Sequence, residues 1–304
     1  MTSEFRWGVY APTFDPFGTG SPPLLDAARL AEELNFHTVW VGDHLIGPAP
    51  VFDSICSLAA MAGVTSTIQL GLGVLQLGLR NLVWTAKQLS TLEAIAPGRL
   101  RLGVGVGGEF PDEFTASGVS LKTRGRRLDE ILQLLNPLLA GEAVSYKSDE
   151  IAVEVSGLRP VISRQLPLAV GGRSDAALNR AARFGDEWLG MWYDPEAVQQ
   201  RVEKMSEMAE KWGRPTPSVG MIILTNVNND REKARDETTR YLRGQYNLPF
   251  HVVEKWTACG PADEVVDMLS LYQKVGVSEF VLAPAAINFL DQYEKLAQVR
   301  QLLG

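Results

Sequence analysis

The chain has 304 residues, 45% hydrophobic and 21% charged, and a formal net charge of −7. This suits one large α/β barrel or two small domains. The acidic balance, with no basic run beyond Arg124-Gly125-Arg126-Arg127, argues against nucleic acid or an anionic membrane as partner.

Cys56 and Cys259 offer neither a disulfide framework nor a zinc spacing. The start, Met1-Thr2-Ser3-Glu4-Phe5-Arg6-Trp7, has no signal-peptide core, and no apolar run is long enough for a membrane span. A soluble, cytoplasmic protein is the expectation.

Arg6 to Ala11 reads as a first strand stopped by Pro12, and a Gly- and Pro-rich loop runs to Pro23. Leu24, Ala27, Ala28, Ala31 and Leu34 then share one helical face. Strand two, Thr38-Val39-Trp40-Val41, is apolar until it delivers Asp43 and His44 at its carboxyl end. Titratable groups beside a core are costly unless chemistry uses them, although a loop cap and a solvated imidazole would read the same way. Phe52 to Gly63 is helical, Ile68 to Leu75 a strand, Val83 to Ala96 a helix, and Arg99 to Val106 a fourth strand entering a glycine cluster.

After a loop to Thr123, Leu128, Ile131, Leu132, Leu135, Leu138 and Leu139 mark the clearest amphipathic helix. Val144 to Val155 alternates as a hairpin or extended insertion. Strands follow at Leu166 to Val170, Glu187 to Met191, Ser218 to Val227 and Glu279 to Ala283. Helices lie between and after them, the last at Phe289 to Leu303. Strands alternating with helices in about eight units predict a parallel, closed barrel in a single domain spanning 1–304, with insertions near 141–165 and 244–260. The rival is an open doubly wound sheet. Gly103 to Gly108 fits G-x-G-x-x-G, but at the fourth strand, and Glu109-Phe110-Pro111-Asp112 follows where a helix should begin.

A barrel collects its site at the carboxyl ends of its strands. Three scattered histidines cannot ligate a hydrolytic metal, no lysine sits at a strand end for Schiff-base chemistry, and the glycine-rich, apolar rim disfavours a glycosidase built on Asp43 and Glu109. A large flat cofactor remains. Gly171-Gly172-Arg173-Ser174 leads into a helix N-terminus, which suits a phosphate and equally suits a plain strand-to-helix turn with a serine cap.

Taken together these segments resemble the bacterial luciferase-like flavin and deazaflavin oxidoreductases. The resemblance runs through Val39 to Leu45, Leu72-Gly73-Val74-Leu75, Lys87 to Leu92, Gly98 to Gly105, Arg124 to Glu130, Gly171 to Ser174 and Ala181 to Trp188. It implies a luciferase-like (β/α)8 TIM barrel binding coenzyme F420 or, alternatively, FMN. It also implies a non-proline cis bond at Gly73–Val74 against the ring, and a phosphate loop at Gly171, Gly172 and Ser174, to which Arg173 adds charge; Gly107 and Gly108 are further cofactor-binding candidates. Asp43-His44 matches the F420 branch, where the Asp contacts the deazaflavin and the His lies near the carbon that exchanges hydride. Glu109 matches an acid used in some F420-dependent dehydrogenases.

The resulting expectation is an F420-dependent oxidoreductase acting on a small organic substrate, with His44 handling the proton and Asp43 tuning it. The alternatives are an FMNH2-dependent monooxygenase using O2, with a separate reductase supplying reduced cofactor, and a non-catalytic ligand-binding barrel. Phe14, Phe110, Trp192, Tyr193, Phe250 and Trp256 are candidate pocket walls, and pairing through Val83 to Ala96 would make a homodimer.

Overall fold

A computed structural model describes residues 5–20 and 22–304. The Met1–Glu4 stretch read above for a signal core lies outside the described residues, as does Ser21 of the first loop.

Parallel strands β1 (Arg6–Tyr10), β2 (Thr38–Val41), β3 (Gln69–Leu75) and β4 (Leu100–Val104) follow one another in the sheet. A hairpin of β5 (Val144–Lys147) and β6 (Ala152–Val155) stands apart as its own antiparallel sheet. The barrel resumes with β7 (Leu168–Gly171), β8 (Glu187–Met191) and β9 (Ser218–Val227). β8 pairs with β9, β9 with β11 (Glu279–Pro284), and β11 with β1, which closes eight strands into a barrel. The open sheet is thereby excluded. The short strand β10 (Ala258–Gly260), absent from the sequence reading, pairs with β9 only at Thr225–Val227, beyond most of the β11 pairing.

The surrounding helices are α1 (Leu24–Glu33), α2 (Ser54–Ala62), α3 (Leu82–Ile95), α4 (Pro111–Ala116), α5 (Arg124–Leu139), α6 (Asp175–Phe184), α7 (Pro195–Lys211), α8 (Arg231–Tyr246), α9 (Ala262–Lys274) and α10 (Phe289–Leu303). Among the described residues, no helix is long and apolar enough to cross a membrane.

Inside the barrel the fully buried Trp40 fills the space between β1 and β3. It can do so because glycines face it: a Cβ on Gly71 would come 2.3 Å from the indole, and one on Gly8 would come 2.7 Å from it. Below the indole is a buried quartet of charges. Arg101 donates to Glu279 at 2.7 Å and to Glu187 at 2.6 Å, and Arg6 donates to the same two carboxylates at 2.6 and 2.8 Å. Trp40 Nε1 donates to Glu279 at 3.2 Å, and the Arg101 guanidinium stacks on its ring at 4.7 Å. Burial and the neighbouring Glu279 push the Glu187 carboxyl up, whereas Arg101 and then Arg6 hold Glu279 below its ordinary value against burial. The floor of the barrel is thus closed by paired charge, and the opposite rim is left for chemistry.

Candidate active site

Strand β2 ends at Val41, and two residues later the buried Asp43 turns into the space between β2 and β3. Both its oxygens are engaged. Oδ1 accepts from Ser54 Oγ at 2.7 Å and Arg80 at 2.6 Å, and Oδ2 accepts from the Gln76 backbone N–H at 2.9 Å. Ser54 opens α2 and Gln76 follows β3, so this carboxylate ties three consecutive units together.

His44 is the next residue, with a side chain 14% exposed. Its Nδ1 lies 3.2 Å from Glu113 Oε1. Glu113 sits on α4, a single-turn helix started by Pro111, and its side chain is fully buried. Oε1 also accepts from the backbone N–H groups of Leu45 at 2.6 Å and Ile46 at 3.3 Å, so the carboxylate is pinned. An acceptor so placed makes Nδ1 the donor and leaves Nε2 to exchange a proton. Nε2 lies 3.5 Å from Oε2 of Glu109, whose side chain is 53% exposed. Burial lowers the His44 pKa, but the Glu113 hydrogen bond and charge, followed by the charges of Glu109 and Asp43, outweigh it and leave the pKa raised. The tuning expected of Asp43 therefore falls first to Glu113. Reciprocally, the His44 partnership and the Leu45 and Ile46 amides overcome burial and keep the Glu113 pKa low.

Gln76 braces this pair. Its Nε2 donates to the Asp43 carbonyl at 2.8 Å and to Glu113 Oε2 at 3.2 Å and passes 3.0 Å from His44 Nδ1, while its Oε1 is buried without a partner. Gly107 gives that amide room, since a Cβ there would fall 1.9 Å from Oε1. The rings of Phe110 and Phe14 flank His44, with centroids 5.0 and 6.0 Å away.

The Gly73–Val74 bond is cis and lies where the β3–β4 register shifts. Val74 then enters a space that only glycines leave open: a Cβ on Gly105 would be 2.6 Å from its side chain, and one on Gly171 2.8 Å. The glycine cluster that follows β4 is therefore shaped by Val74 and Gln76, and Gly108, at φ 118°, passes Arg124 closely. At the end of β7, Gly172 (φ 132°) lets the backbone approach Ala177, and its carbonyl accepts from Trp188 Nε1 at 3.0 Å. Ser174 caps α6 by accepting from the Ala177 N–H at 3.2 Å. Asp175, in the first turn, is drawn to Lys204 and Arg201 on α7, which lower its pKa and offset its charge beside the loop. Arg173 lies over the Trp192 ring at 5.4 Å, and Trp192 holds a left-handed φ of 59°. Arg173, Ser174, Trp192, Tyr193 and Trp256 line one depression.

A second cleft at the same rim is lined by Tyr10, Phe14, Phe17, Tyr241 and Tyr246 among others. Of the aromatic walls expected from sequence, Phe14 and Phe110 stand beside His44, and Trp192, Tyr193 and Trp256 stand by the loop. Phe250 is instead buried in the core under Arg235. Glu113, Gln76 and Arg80 were not foreseen. A proline followed by two acids at Pro111-Asp112-Glu113 was the one sequence signal for the short helix that carries Glu113.

A closed parallel barrel with a paired imidazole at its carboxyl rim and a glycine-rich strand-to-helix loop after β7 defines the class. Residues 6–256 match the family model described as luciferase-like monooxygenase, and the chain belongs to that family. An uncharacterised protein of Mycobacterium tuberculosis (strain ATCC 25618 / H37Rv) is 29% identical over 189 residues. That alignment covers 62% of this chain and 65% of the relative, so the chain spans about two thirds of the relative's length. An F420-dependent glucose-6-phosphate dehydrogenase of Rhodococcus hoagii (strain 103S) is 26% identical over 91% of this chain and 92% of its own. Among solved structures, an F420-dependent secondary alcohol dehydrogenase in complex with an F420-acetone adduct superposes with a TM-score of 0.86 at 19% identity, covering 99% of both chains. This last likeness establishes the fold.

Proposed function

We propose that the protein is an F420-dependent oxidoreductase that exchanges a hydride with a small organic substrate, and that His44 carries the accompanying proton. The observation that carries this reading is the Glu113–His44–Glu109 line. A buried carboxylate holds Nδ1, and Nε2 is presented at the rim with an exposed carboxylate beyond it. The residues present suit a flat, anionic cofactor. Val74 presents an apolar side chain where the β3 register shifts, Gln76 Oε1 and Trp192 Nε1 are buried polar atoms with no protein partner, and the loop from Gly171 to Ser174 offers bare backbone at a helix N-terminus. The coenzyme, when bound, supplies the ring carbon that accepts or gives two electrons as hydride.

The chain does the rest. Gly73 and Val74 support the ring, while Gly107 and Gly108 keep the β4 side open. Gly171, Gly172, Arg173 and Ser174 hold the phosphate end. Asp43, fully engaged by Ser54, Gln76 and Arg80, positions His44 instead of contacting substrate. When an alcohol is oxidised, neutral Nε2 takes the hydroxyl proton; when a carbonyl is reduced, the imidazolium returns it. Glu109, exposed and 3.5 Å from Nε2, passes that proton to solvent.

Fluorescence titration with F420 and absorbance titration with FMN test the reading. F420 binding at micromolar level or tighter is expected, with loss of turnover in His44→Ala. FMN binding without F420 binding, together with O2 consumption by reduced FMN, would favour the monooxygenase alternative and end the proposal.

A further inference from the structure

We infer that the rim cleft walled by Phe14, whose ring flanks His44, accepts an uncharged, mostly apolar substrate bearing a hydroxyl or carbonyl oxygen, and that it rejects phosphorylated and carboxylated compounds. The inference rests on the reading above and specifies its substrate class. Among the described residues that line this cleft there is no Lys, Arg or His. A phosphate or carboxylate brought into it would lose hydration with no cation in the lining to replace the water, and the imidazolium of His44, beyond Phe14, is already met by Glu113 and Glu109. The charged residue in the lining, Asp15, is itself an anion. Its Oδ1 accepts from the Thr19 N–H and hydroxyl, and its Oδ2 from the Gly20 N–H, so its oxygens serve the loop. Arg240 approaches only from outside, over the Phe17 ring at 5.7 Å, with a side chain 54% exposed. The exposed Glu109 adds a further negative charge, since it acts electrostatically on both Tyr10 and Tyr246.

The polar groups the cleft does offer are neutral hydroxyls. Outside the cleft the hydroxyls of Tyr193, Tyr272 and Tyr293 are spent on backbone carbonyls, but those of Tyr10, Tyr241 and Tyr246 in its lining have no partner among the described residues. Thr13 Oγ1 is also buried and unpartnered in the lining. Burial raises the pKa of all three phenols, so they remain donors at any working pH. Phe14, Phe17, Ile222 and Phe289 supply apolar wall between them. Such a lining rewards a neutral hydrophobic body with one or two oxygens.

The test is calorimetric titration of the F420-loaded protein with cyclohexanone, cyclohexanecarboxylate and glucose 6-phosphate, after F420 binding has been measured separately. Cyclohexanone should bind, and each anion should bind about 100-fold more weakly or not at all. Tyr246→Phe and Tyr241→Phe should each weaken cyclohexanone by about 5- to 10-fold, the worth of one hydrogen bond, without altering F420 affinity. Ile222→Lys should raise affinity for cyclohexanecarboxylate. Either anion binding as tightly as cyclohexanone overturns the inference, as does failure of cyclohexanone to bind a protein that does bind F420. Failure to bind F420 would instead refute the cofactor reading beneath it.

Discussion

Glu113→Gln isolates the charge that the site places behind His44. In the native protein one carboxylate oxygen accepts from His44 Nδ1, Leu45 N–H and Ile46 N–H. Gln keeps an acceptor of the same shape but removes the charge. Hydrogen bonds to charged groups are worth about 1.5–3 kcal/mol and neutral ones about 0.5–1.5, so each of the three contacts loses roughly 1 kcal/mol, about 3 kcal/mol in all. The new amide also faces Gln76 Nε2, 3.2 Å from Oε2, as donor against donor.

The pH signature is sharper than the stability loss. His44, whose folded pKa is raised, contributes stability that is complete below its ordinary 6.5 and lost as pH rises through the raised value. Glu113, with a depressed pKa, contributes above its ordinary 4.5 and loses that contribution as pH falls through the depressed value. The pair therefore stabilises most between pH 4.5 and 6.5. NMR titration of the three histidines, with His44→Gln to assign the signal, should show the His44 midpoint moving down in Glu113→Gln. Urea unfolding at pH 5.5 and 8.5 should show the low-pH advantage shrinking. A His44 midpoint that stays or rises in the variant would refute the assignment of Glu113 as its partner.

Other expectations follow from the barrel. Arg101→Met leaves Glu187 and Glu279 buried with Arg6 alone, and should cost about 3–5 kcal/mol in denaturant unfolding; a loss under 1 kcal/mol would show the quartet to be dispensable. Gly71→Ala puts a methyl 2.3 Å from Trp40 and should destabilise by about 1–3 kcal/mol, with much of that recovered in Gly71→Ala/Trp40→Phe. Additive losses in the pair would contradict a direct clash. Glu32 accepts backbone N–H bonds from Ser66, Thr67 and Ile68, which pull its pKa down to about 2 despite burial. Glu32→Gln should remove stability present above pH 4.5 and flatten the acid limb of unfolding as pH falls toward 2; an unchanged acid limb would count against it.

The alternation of strands and helices was legible because each unit repeats a buried run, a turn and an amphipathic helix, and these signals are local. β10 and α4 were not, because three and six residues are too few to show a period. The site divides the same way. Asp43 and His44 announce themselves at the end of an apolar strand, whereas Glu113 lies 69 residues from His44 and meets it only when α4 folds over the rim. The glycines just after β4 show the same limit. Sequence reveals that side chains are missing at Gly105 and Gly107, but only the neighbouring strand shows that the space is kept for Val74 and Gln76.

The charge quartet at the barrel floor also orders events in time. Its contacts join residues 273, 181, 178 and 86 positions apart, drawn from β1, β4, β8 and β11. No fragment ending before β11 contains the whole set, so the lock engages only after the last strand has arrived. Interactions made that late slow escape from the native state more than they hasten arrival. Arg101→Met should therefore accelerate unfolding while leaving the refolding rate nearly unchanged, and a stopped-flow chevron with the loss on the folding limb would place the quartet early instead. The quartet would then act as a latch on the closed barrel, holding the catalytic rim in register from the opposite end.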